Sequence, residues 1–323
     1  MICINDHHTD PHFNLAAEEY VLKNFSDNIF MLWRNEPSII VGKHQNALAE
    51  INLDFIQKNK IKVVRRLTGG GAVFHDLGNI NFTFIENNST GNFKTFTQPI
   101  IDILVKLGVD ARFEGRNDLT IDGKKFSGNA QCVYKHRTQH HGTLLFSATM
   151  TDLSAALRVN PLKFEDKAVR SVRSRVTNIS EHLKQPMDVL QFRELVMEHI
   201  VQAVPGCKAY EYNKEDISQI EKLRDEKYTT WDWNFGHSPK YSFSKLIRTS
   251  GGNLEAHLNV ADGCIKDIKL YGDFFFFKEL SELEKELVDC VHERNTLLKK
   301  LNEVGIQDYI RNTTAEEVVE VFF

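Results

Sequence analysis

The chain has 323 residues, a formal net charge of -4, and 41% hydrophobic and 26% charged residues. At roughly 150 residues per domain, this length predicts two domains whose cores are large enough to fold without disulfide or metal support. The slight negative charge excludes a general nucleic-acid or membrane-surface binder, so any anionic ligand must be bound by a local cluster of positive charge.

The cysteines and the amino-terminal segment indicate a compartment. Five cysteines, an odd number at wide spacing, form no Cys-x-x-Cys motif. This pattern favours a reducing environment over a disulfide framework and signals no zinc site. The amino-terminal segment lacks an apolar signal core, and no apolar run is long enough to cross a bilayer. We therefore expect a cytoplasmic protein.

The first half of the chain mixes helices and strands. Asn14 is predicted to cap an amphipathic helix, and a second helix is predicted at 97–107. Runs with strand character lie at residues 29–34, 38–42, 61–64, 80–85 and 143–149. This mixture predicts an α+β fold.

The most informative segment follows the strand at 61–64. It reads Arg65-Arg66-Leu67-Thr68-Gly69-Gly70-Gly71 and continues into Ala72-Val73-Phe74-His75-Asp76. Glycines leave backbone N–H groups accessible, such amide nests bind phosphate or carboxylate oxygens, and arginine adds a fork of donors. The spacing matches neither of the usual phosphate fingerprints, so a glycine-rich turn with solvated arginines explains this segment about equally well.

A second polar cluster is predicted on a β-hairpin. The Asp122-Gly123 pair between two strand-like runs signals a two-residue type I′ turn. With that turn, Thr120 opposes Lys125. Asp118 opposes Ser127 in the same register, so these four side chains share one face. Lys125 is then a candidate anion ligand, although a solvated lysine paired with Asp118 fits the same pattern.

The second half of the chain changes character after an aromatic cluster. A strongly apolar helix is predicted at 189–204, and Asn213 is predicted to cap a charged helix. Beyond Trp231 to Phe235, a meander punctuated by Asp262-Gly263 leads into heptad-like helices. We place the domain boundary near residue 240.

Long runs of residues together resemble the lipoate-protein ligase A family. Within residues 14–180 the matching runs are Asn14 to Glu19, Leu32 to Asn35, Gly42 to Asn46, Arg65 to Asn81, Gly115 to Leu119, Lys125 to Ala130, His140 to Leu145 and Ser171 to Asn178. The stretch Trp231 to Gly236 also looks like the two-domain members. The resemblance implies a biotin/lipoyl-ligase-like catalytic domain at 1–240 and a small α+β accessory domain at 241–323.

The resemblance also implies a reaction. Lipoate would be activated with ATP to lipoyl-AMP, and the lipoyl group would pass to a lysine of an acceptor domain. The implied cofactors are ATP and Mg²⁺. The implied partners are E2 subunits of 2-oxoacid dehydrogenases and the glycine-cleavage H protein, with neither nucleic acid nor membrane.

Family members imply roles for individual residues. Lys125 would bridge the lipoyl carbonyl oxygen and the phosphate, stabilising the charge that develops in both half-reactions. The phosphate and carbonyl oxygens of the substrates would be bound by Arg66, by the hydroxyl group of Thr68 and by the glycines Gly69, Gly70 and Gly71. Val73 and Phe74 would offer backbone groups to the adenine. Asn79 and Asp118 would contact the nucleotide, and Asp118 would also bind magnesium. The residues that follow Lys125 in the same run would bind substrate or nucleotide, namely Ser127, Gly128 and Ala130.

Other matched positions have roles that the sequence does not separate. Glu18, His75 and His141 match positions that line the substrate pocket in the family, and structural duty is an alternative for each. Arg173 and Arg175 suit a loop that closes on phosphate, while solvated arginines fit equally well.

Four other functions are compatible with parts of this sequence. An ATP-independent octanoyl or lipoyl transferase of the same fold would use a thiol, for which Cys132 is the candidate. A transferase that accepts preformed lipoyl-AMP is a second alternative. A biotin ligase is disfavoured because its Gly-Arg-Gly-Arg loop is absent from the sequence. A binding module without catalysis would hold lipoate or a carrier domain with no turnover.

Overall fold

The computed structural model describes residues 1–43, 45, 47, 51, 53–88, 92–115, 117–149, 176–236, 241–274 and 277–323. The chain divides into two compact units. The larger comprises Met1–Lys43 and Ala49–Thr230, and the smaller comprises His44–Leu48 and Trp231–Phe323. Arg173 and Arg175 lie outside the described residues, so their expected loop stays a prediction.

The described elements confirm a mixed α+β architecture. The helices are α1 (Pro11–Asn24), α2 (Leu53–Lys58), α3 (Phe93–Lys106), α4 (Val189–Ala203), α5 (Lys214–Leu223), α6 (Leu280–Leu287), α7 (Arg294–Val304) and α8 (Ala315–Val319). Short 3₁₀ or π turns lie at Ile179–His182, Arg224–Tyr228, Asp232–Gly236, Ile306–Asp308 and Glu320–Phe322.

The strands are β1 (Ile2–Asn5), β2 (Ile29–Trp33), β3 (Ser38–Val41), β4 (Lys62–Arg65), β5 (Val73–His75), β6 (Asn79–Asn87), β7 (Ala111–Glu114), β8 (Asp118–Ile121), β9 (Lys124–Tyr134), β10 (Arg137–Leu145), β11 (Lys208–Tyr210), β12 (Tyr241–Thr249), β13 (Gly252–Ala261) and β14 (Cys264–Gly272).

A mixed eight-stranded sheet organises the larger unit. Its strand order is β11-β1-β2-β6-β10-β9-β8-β7, and a separate three-stranded sheet has the order β4-β3-β5. The core cluster joins apolar residues of the large sheet, such as Phe82, to residues of α3 and α4, such as Phe96 and Phe192. Since successive side chains on a strand point to opposite faces, the other face of the large sheet is left for helix α1 and the candidate site.

Helix α1 begins earlier than predicted. Asp10 is its N-cap and accepts a hydrogen bond from the His12 backbone N–H at 3.3 Å, while Pro11 supplies the first helical turn. Asn14 therefore lies inside the helix, and its expected capping role is wrong. At the other end, the buried Arg137 donates to the carbonyl oxygens of Val21 and Leu22 at 3.2 and 3.0 Å. This guanidinium adds a donor to the Val21 carbonyl, which also accepts from the Phe25 N–H, and pairs the Leu22 carbonyl of the last helical turn.

The predicted hairpin forms with a shift in register. Asp122 and Gly123 have φ of 50° and 71°, as a type I′ turn requires, and Thr120 opposes Lys125. A bulge then intervenes, so that Leu119 opposes Ser127 and Asp118 opposes Gly128. The predicted pairing of Asp118 with Ser127 is wrong because Phe126, which is fully buried, is the extra residue.

Strand β10 also differs from its prediction. It runs from Arg137 to Leu145 rather than from residue 143 to 149. The pair His140 and His141 consequently lies in the middle of the strand, and alternation sends the two rings to opposite faces of the sheet. His140 is stacked against Phe82 and Phe96, at ring-centroid distances of 5.9 and 4.9 Å, so it belongs to the core.

The smaller unit is an antiparallel meander with helices. Strands β12, β13 and β14 pair in sequence order, and the Asp262-Gly263 turn between the last two has φ of 53° and 71°. Alternate β13 residues, among them Leu254 and Leu258, are buried. In the part of the chain that the structure describes, no helix is both long and apolar enough to cross a membrane.

A disulfide joins Cys3 in β1 to Cys207, the residue that precedes β11, with Cα atoms 6.5 Å apart. The expectation of reduced cysteines is wrong for this pair. Cys132, Cys264 and Cys290 are free. The bond closes a sequence separation of 204 residues and fastens a three-residue edge strand to the sheet.

Breaking this bond should destabilise the larger unit. Because a cross-link over a long loop restricts the unfolded chain, Cys207→Ser should lower Tm by roughly 5 to 15 °C, measured by differential scanning calorimetry. Cys264→Ser removes a free thiol of the other unit and should leave this transition unchanged. Equal Tm values for oxidised and reduced wild-type protein, with both states verified by intact mass, would contradict the expectation.

Candidate functional site

A cleft of about 170 Å³ lies in the larger unit. Its wall is built from the glycine loop between β4 and β5, from β9 and β10, and from the start of α1. The predicted site residues that line it are Arg66, Gly70, Gly71, Val73, His75, Lys125, Gly128, Ala130 and His141. The fold thus brings residues 66–75 to the same place as the hairpin.

Lys125 presents its ammonium group to this cleft. Its Nζ lies 2.8 Å from Asp118 Oδ1, and both side chains are about two-fifths exposed, at 39% and 38%. The predicted sharing of one face by these two residues is confirmed. A Cβ at Gly128 would lie 2.9 Å from the Lys125 Nζ, so the glycine leaves room for the ammonium group. The backbone of Lys125 is held by a hydrogen bond from Thr177 N–H at 2.9 Å.

Arg66 holds the shape of the glycine loop. Its Nη2 donates to the carbonyl oxygens of Gly69 and Gly71 at 2.6 and 2.9 Å. Its Nε donates to Thr68 Oγ1 at 2.9 Å, and its Nη1 donates to the Ile40 carbonyl at 3.1 Å. Burial lowers the pKa of Arg66 to about 10, and the group stays charged at neutral pH. The arginine therefore organises the loop from within.

The outer side of this loop is bare backbone. A Cβ placed on Gly69 or Gly71 would meet no atom of a described residue within 4 Å, so within the described part of the chain open space adjoins both residues. Gly70 has a φ of 93°, a conformation that side-chain-bearing residues rarely adopt. With the loop carbonyls of Gly69 and Gly71 turned toward Arg66, ligand oxygens can approach main-chain N–H groups without steric hindrance.

A buried polar chain connects helix α1 to the loop. The Glu18 carboxylate lies 3.0 Å from His141 Nδ1, and His141 Nε2 lies 2.8 Å from Thr68 Oγ1. Glu18 also accepts a 2.5 Å hydrogen bond from the Thr83 hydroxyl. Glu18 and Thr68 thus lie behind the cleft wall, in contact with a lining residue.

His75 lines the cleft as a buried and neutral side chain. Its Nδ1 lies 3.1 Å from Asn35 Nδ2, and its buried Nε2 has no hydrogen-bond partner among the described residues. Burial lowers the pKa of His75 to about 3, and the nearby charges of Arg66 and His141 act in the same direction. An unpaired polar atom in such a position is costly, which marks it as a candidate ligand contact.

The remaining predicted residues lie off the cleft wall. Asn79 donates to Asn81 Oδ1 at 3.0 Å, and Asn81 itself is the lining residue. Phe74 is buried in the small sheet opposite Ile39. Ser127 is buried, accepts a hydrogen bond from Asn129 Nδ2 at 3.2 Å and does not line the cleft, because the bulge shifts its register.

The cleft is also lined by nine residues that the sequence did not predict as site residues, namely Leu15, Trp33, Ile40, Ala72, Asn81, Asn117, Asn129, Gly142 and Thr143. All but Ile40 lie within the runs that resemble the family. Two of them could have been predicted from strand alternation. Asn81 pairs with Thr143 across β6 and β10, two residues along from the pair that Thr83 forms with His141. Alternation along those strands would have placed them on the face of His141.

A resident metal centre has little support from protein ligands. Within the described residues, no group of three or more His, Cys, Asp or Glu side chains is arranged to hold a metal ion. Asp118 is the single predicted ligand, and its carboxylate is paired with Lys125. A magnesium ion usually takes one or two carboxylates together with substrate phosphates, so Asp118 fits such an ion only when phosphates are bound beside it.

The thiol of Cys132 is poorly suited to nucleophilic attack. Burial raises the pKa of Cys132 to about 12, and the carboxylate of Glu18 adds to the shift. The Sγ atom lies 3.7 Å from Gln139 Oε1, a neutral group. A thiolate is the reactive form, and little of it exists at neutral pH with such a pKa.

Comparisons with known proteins match both units. The family model of the lipoyl protein ligase A/B catalytic domain matches residues 10–201, and that of the bacterial lipoate protein ligase C-terminus matches residues 238–322. Lipoate-protein ligase LplJ of Bacillus subtilis (strain 168) is 43% identical over 99% of this chain and 98% of its own length.

Two solved structures share the fold of most of the chain. A bi-partite lipoate protein ligase of Thermoplasma acidophilum, studied with its E2 lipoyl domain, is 30% identical with a TM-score of 0.64, over 74% of this chain and 97% of that one. A lipoate-protein ligase A bound with ATP is 27% identical with a TM-score of 0.64, over 73% of this chain and 100% of that one.

The buried histidines predict a loss of stability in acid. The pKa values of His75 and His140 are both lowered to about 3, whereas an unfolded chain binds a proton at each near pH 6.5. Below pH 6.5 the unfolded state therefore binds more protons, and the free energy of unfolding should fall by about 1.4 kcal/mol per pH unit for each histidine. Urea unfolding between pH 6 and pH 4 measures this slope.

The variant His140→Phe isolates one of the two contributions. The ring that replaces the imidazole also suits the site between Phe82 and Phe96. For His140→Phe, the free energy of unfolding should fall with decreasing pH less steeply than for the wild type, by about 1.4 kcal/mol per pH unit. An unchanged slope would show that His140 is protonated in the folded protein.

Proposed function

We propose that this chain, which belongs to the lipoate-protein ligase family, activates lipoate with ATP and passes the lipoyl group to a lysine of an acceptor protein. The observation that carries this proposal is one cleft in which the Lys125 ammonium group and the bare Gly70–Gly71 backbone occur together. Both elements suit a ligand that is rich in negatively charged oxygens.

The first half-reaction joins two anions. An oxygen of the lipoate carboxylate attacks the α-phosphorus of ATP, the bond to the bridging oxygen breaks, and pyrophosphate leaves with that electron pair. Lys125 is assigned to the oxygens of both reactants, where its charge lowers their repulsion and stabilises the charge that develops in the transition state. The loop N–H groups beside Gly70 and Gly71 act on the phosphate oxygens in the same way.

The second half-reaction uses the mixed anhydride. The amine of the acceptor lysine attacks the lipoyl carbonyl carbon, the bond to the AMP oxygen breaks, and the amine loses a proton as the amide forms. AMP is a good leaving group, whereas a free carboxylate would not react. Lys125 again stabilises the oxygens whose charge increases.

The space around the loop suits a nucleotide. Open space adjoins the Cα atoms of Gly69 and Gly71, and the side chain of Arg66 is retained inside the loop. We assign Val73 and Phe74 to the adenine through their backbone and Asn79 and Asp118 to the nucleotide. Bound beside Asp118 and the phosphates, magnesium would neutralise phosphate charge.

The thiol-dependent alternative has less support. An acyl transfer through a thioester needs a thiolate, and the raised pKa of Cys132 disfavours that form. The accessory unit matches the C-terminal family model of bacterial lipoate ligases. A ligase that makes its own adenylate is therefore preferred over a transferase that needs an activated donor.

The acceptor is proposed by analogy with relatives. The Thermoplasma acidophilum ligase was studied with its E2 lipoyl domain. We propose E2 lipoyl domains and the H protein as acceptors, with the reaction in the cytoplasm.

The variant Lys125→Ala tests the proposal. Loss of a charged donor at the reacting oxygens should lower kcat for pyrophosphate release by on the order of 10²- to 10³-fold. The fold should persist, since a half-exposed ion pair contributes about 1 kcal/mol or less to stability. Mass spectrometry of an acceptor domain after incubation with ATP, magnesium and lipoate should detect little lipoylation.

Lys124→Ala is the matched control, because Lys124 is exposed on the same hairpin and does not line the cleft. It should keep wild-type rates in both assays. Turnover by Lys125→Ala within about twofold of the wild type, a change of less than about 0.5 kcal/mol, would rule out the assigned role.

A further inference from the structure

His75 offers an unused polar atom to the cleft. It ends strand β5, is 3% exposed, and has a buried Nε2 to which no residue that the structure describes is hydrogen-bonded. A neutral imidazole carries its single proton on one nitrogen only, and that choice decides whether Nε2 donates or accepts. The neighbours of Nδ1 settle the choice.

The orientation of Asn14 is fixed by backbone carbonyls. Its Nδ2 lies 3.0 Å from the His8 carbonyl oxygen and 2.8 Å from the Arg34 carbonyl oxygen. Carbonyl oxygens only accept hydrogen bonds, so the amide nitrogen of Asn14 must be on this side. The same Nδ2 lies 2.9 Å from Asn35 Oδ1, so its two protons are shared among three oxygen acceptors. A flipped Asn35 amide would instead place two NH2 groups against each other, so the Oδ1 of Asn35 must be on the side of Asn14.

Asn35 transmits this orientation to the histidine. With its Oδ1 accepting from Asn14, the Nδ2 of Asn35 faces His75 Nδ1 at 3.1 Å. An amide nitrogen only donates, so His75 Nδ1 must be the unprotonated acceptor. The proton of the neutral ring then lies on Nε2, the buried nitrogen of a residue that lines the cleft.

The surroundings oppose a second proton on this ring. The positive charge of Arg66 and the His141 ring lower the proton affinity of His75, and burial acts in the same direction. Trp33, which contacts His75 edge to face at 6.2 Å, adds no charge. The ring is thus kept as a neutral N–H donor.

We propose that Asn35, oriented by Asn14, is a positioning residue that holds His75 as the Nε2–H tautomer. The cleft wall then presents a neutral donor to a carboxyl or phosphoryl oxygen of the substrate. The ligand class rests on the proposed function, whereas the tautomer rests on the hydrogen-bond network alone. An oxygen acceptor satisfies the buried N–H, which would otherwise stay unpaired at a cost in free energy.

Nitrogen chemical shifts test the tautomer directly. In a long-range ¹H–¹⁵N spectrum of ¹⁵N-histidine-labelled protein, with His75 assigned by its loss in His75→Gln, Nδ1 should resonate as unprotonated and Nε2 as protonated from pH 6 to pH 9. His140, whose ring nitrogens lie 3.1 Å from Gln131 Nε2 and Asn129 Oδ1, serves as an internal reference. A protonated Nδ1 on His75 would overturn the proposal.

The isosteric variant Asn35→Asp tests the positioning role. A carboxylate only accepts, so the ring proton should move to Nδ1 and leave an acceptor at Nε2 that repels a substrate oxygen. In the spectrum the two nitrogens of His75 should exchange their shifts while those of His140 stay unchanged. The kcat/KM for pyrophosphate release should fall by on the order of 10- to 100-fold. Asn24→Asp, the same change at an exposed residue of α1, should keep the wild-type rate.

A double-mutant cycle separates positioning from simple damage to the fold. The glutamine of His75→Gln has an amide N–H near the place of Nε2 and has no tautomers, so adding Asn35→Asp to it should cost less than threefold. An equal loss in both backgrounds would overturn the proposal. If no wild-type turnover were found, the proposed function would fail while the tautomer measurement would still decide this inference.

Discussion

The shape of the site depends on one buried guanidinium that binds the loop in which it lies. Arg66 donates to the carbonyl oxygens of Gly69 and Gly71, to Thr68 Oγ1 and to the Ile40 carbonyl. With these carbonyls turned inward, a Cβ on Gly69 or Gly71 would meet no atom of the described residues within 4 Å, so bare backbone adjoins open space there. Arg66, which the sequence predicts as a ligand contact, therefore also shapes the loop whose backbone can contact the ligand.

The same interaction extends to the rest of the cleft through hydrogen bonds. Thr68 Oγ1, bound by Arg66, also contacts His141, and His141 contacts Glu18 on helix α1. Helix α1 is fixed in turn by Asp10 at its start and by Arg137 at its end. Small displacements of the helix would consequently reach the loop, because each contact in this chain is buried and directional.

Local signals predicted much of the site, and tertiary effects account for the errors. The Asp122-Gly123 turn and the glycine loop were readable because their backbone conformations depend on the residues themselves. The bulge at Phe126 was not readable, since it arises where a buried aromatic ring joins the core and shifts Ser127 out of register. Asn14 lies inside the helix rather than at its start because Asp10 and Pro11 begin the helix one turn earlier.

The central claim is that an acyl-adenylate lies between the hairpin lysine and the glycine loop. A crystal structure of the protein with lipoyl-AMP is the most direct measurement. We expect phosphoryl oxygens within about 3 Å of both Lys125 Nζ and a main-chain N–H of Gly70 or Gly71. A phosphoryl group more than about 6 Å from both, too far for a hydrogen bond, would contradict the claim.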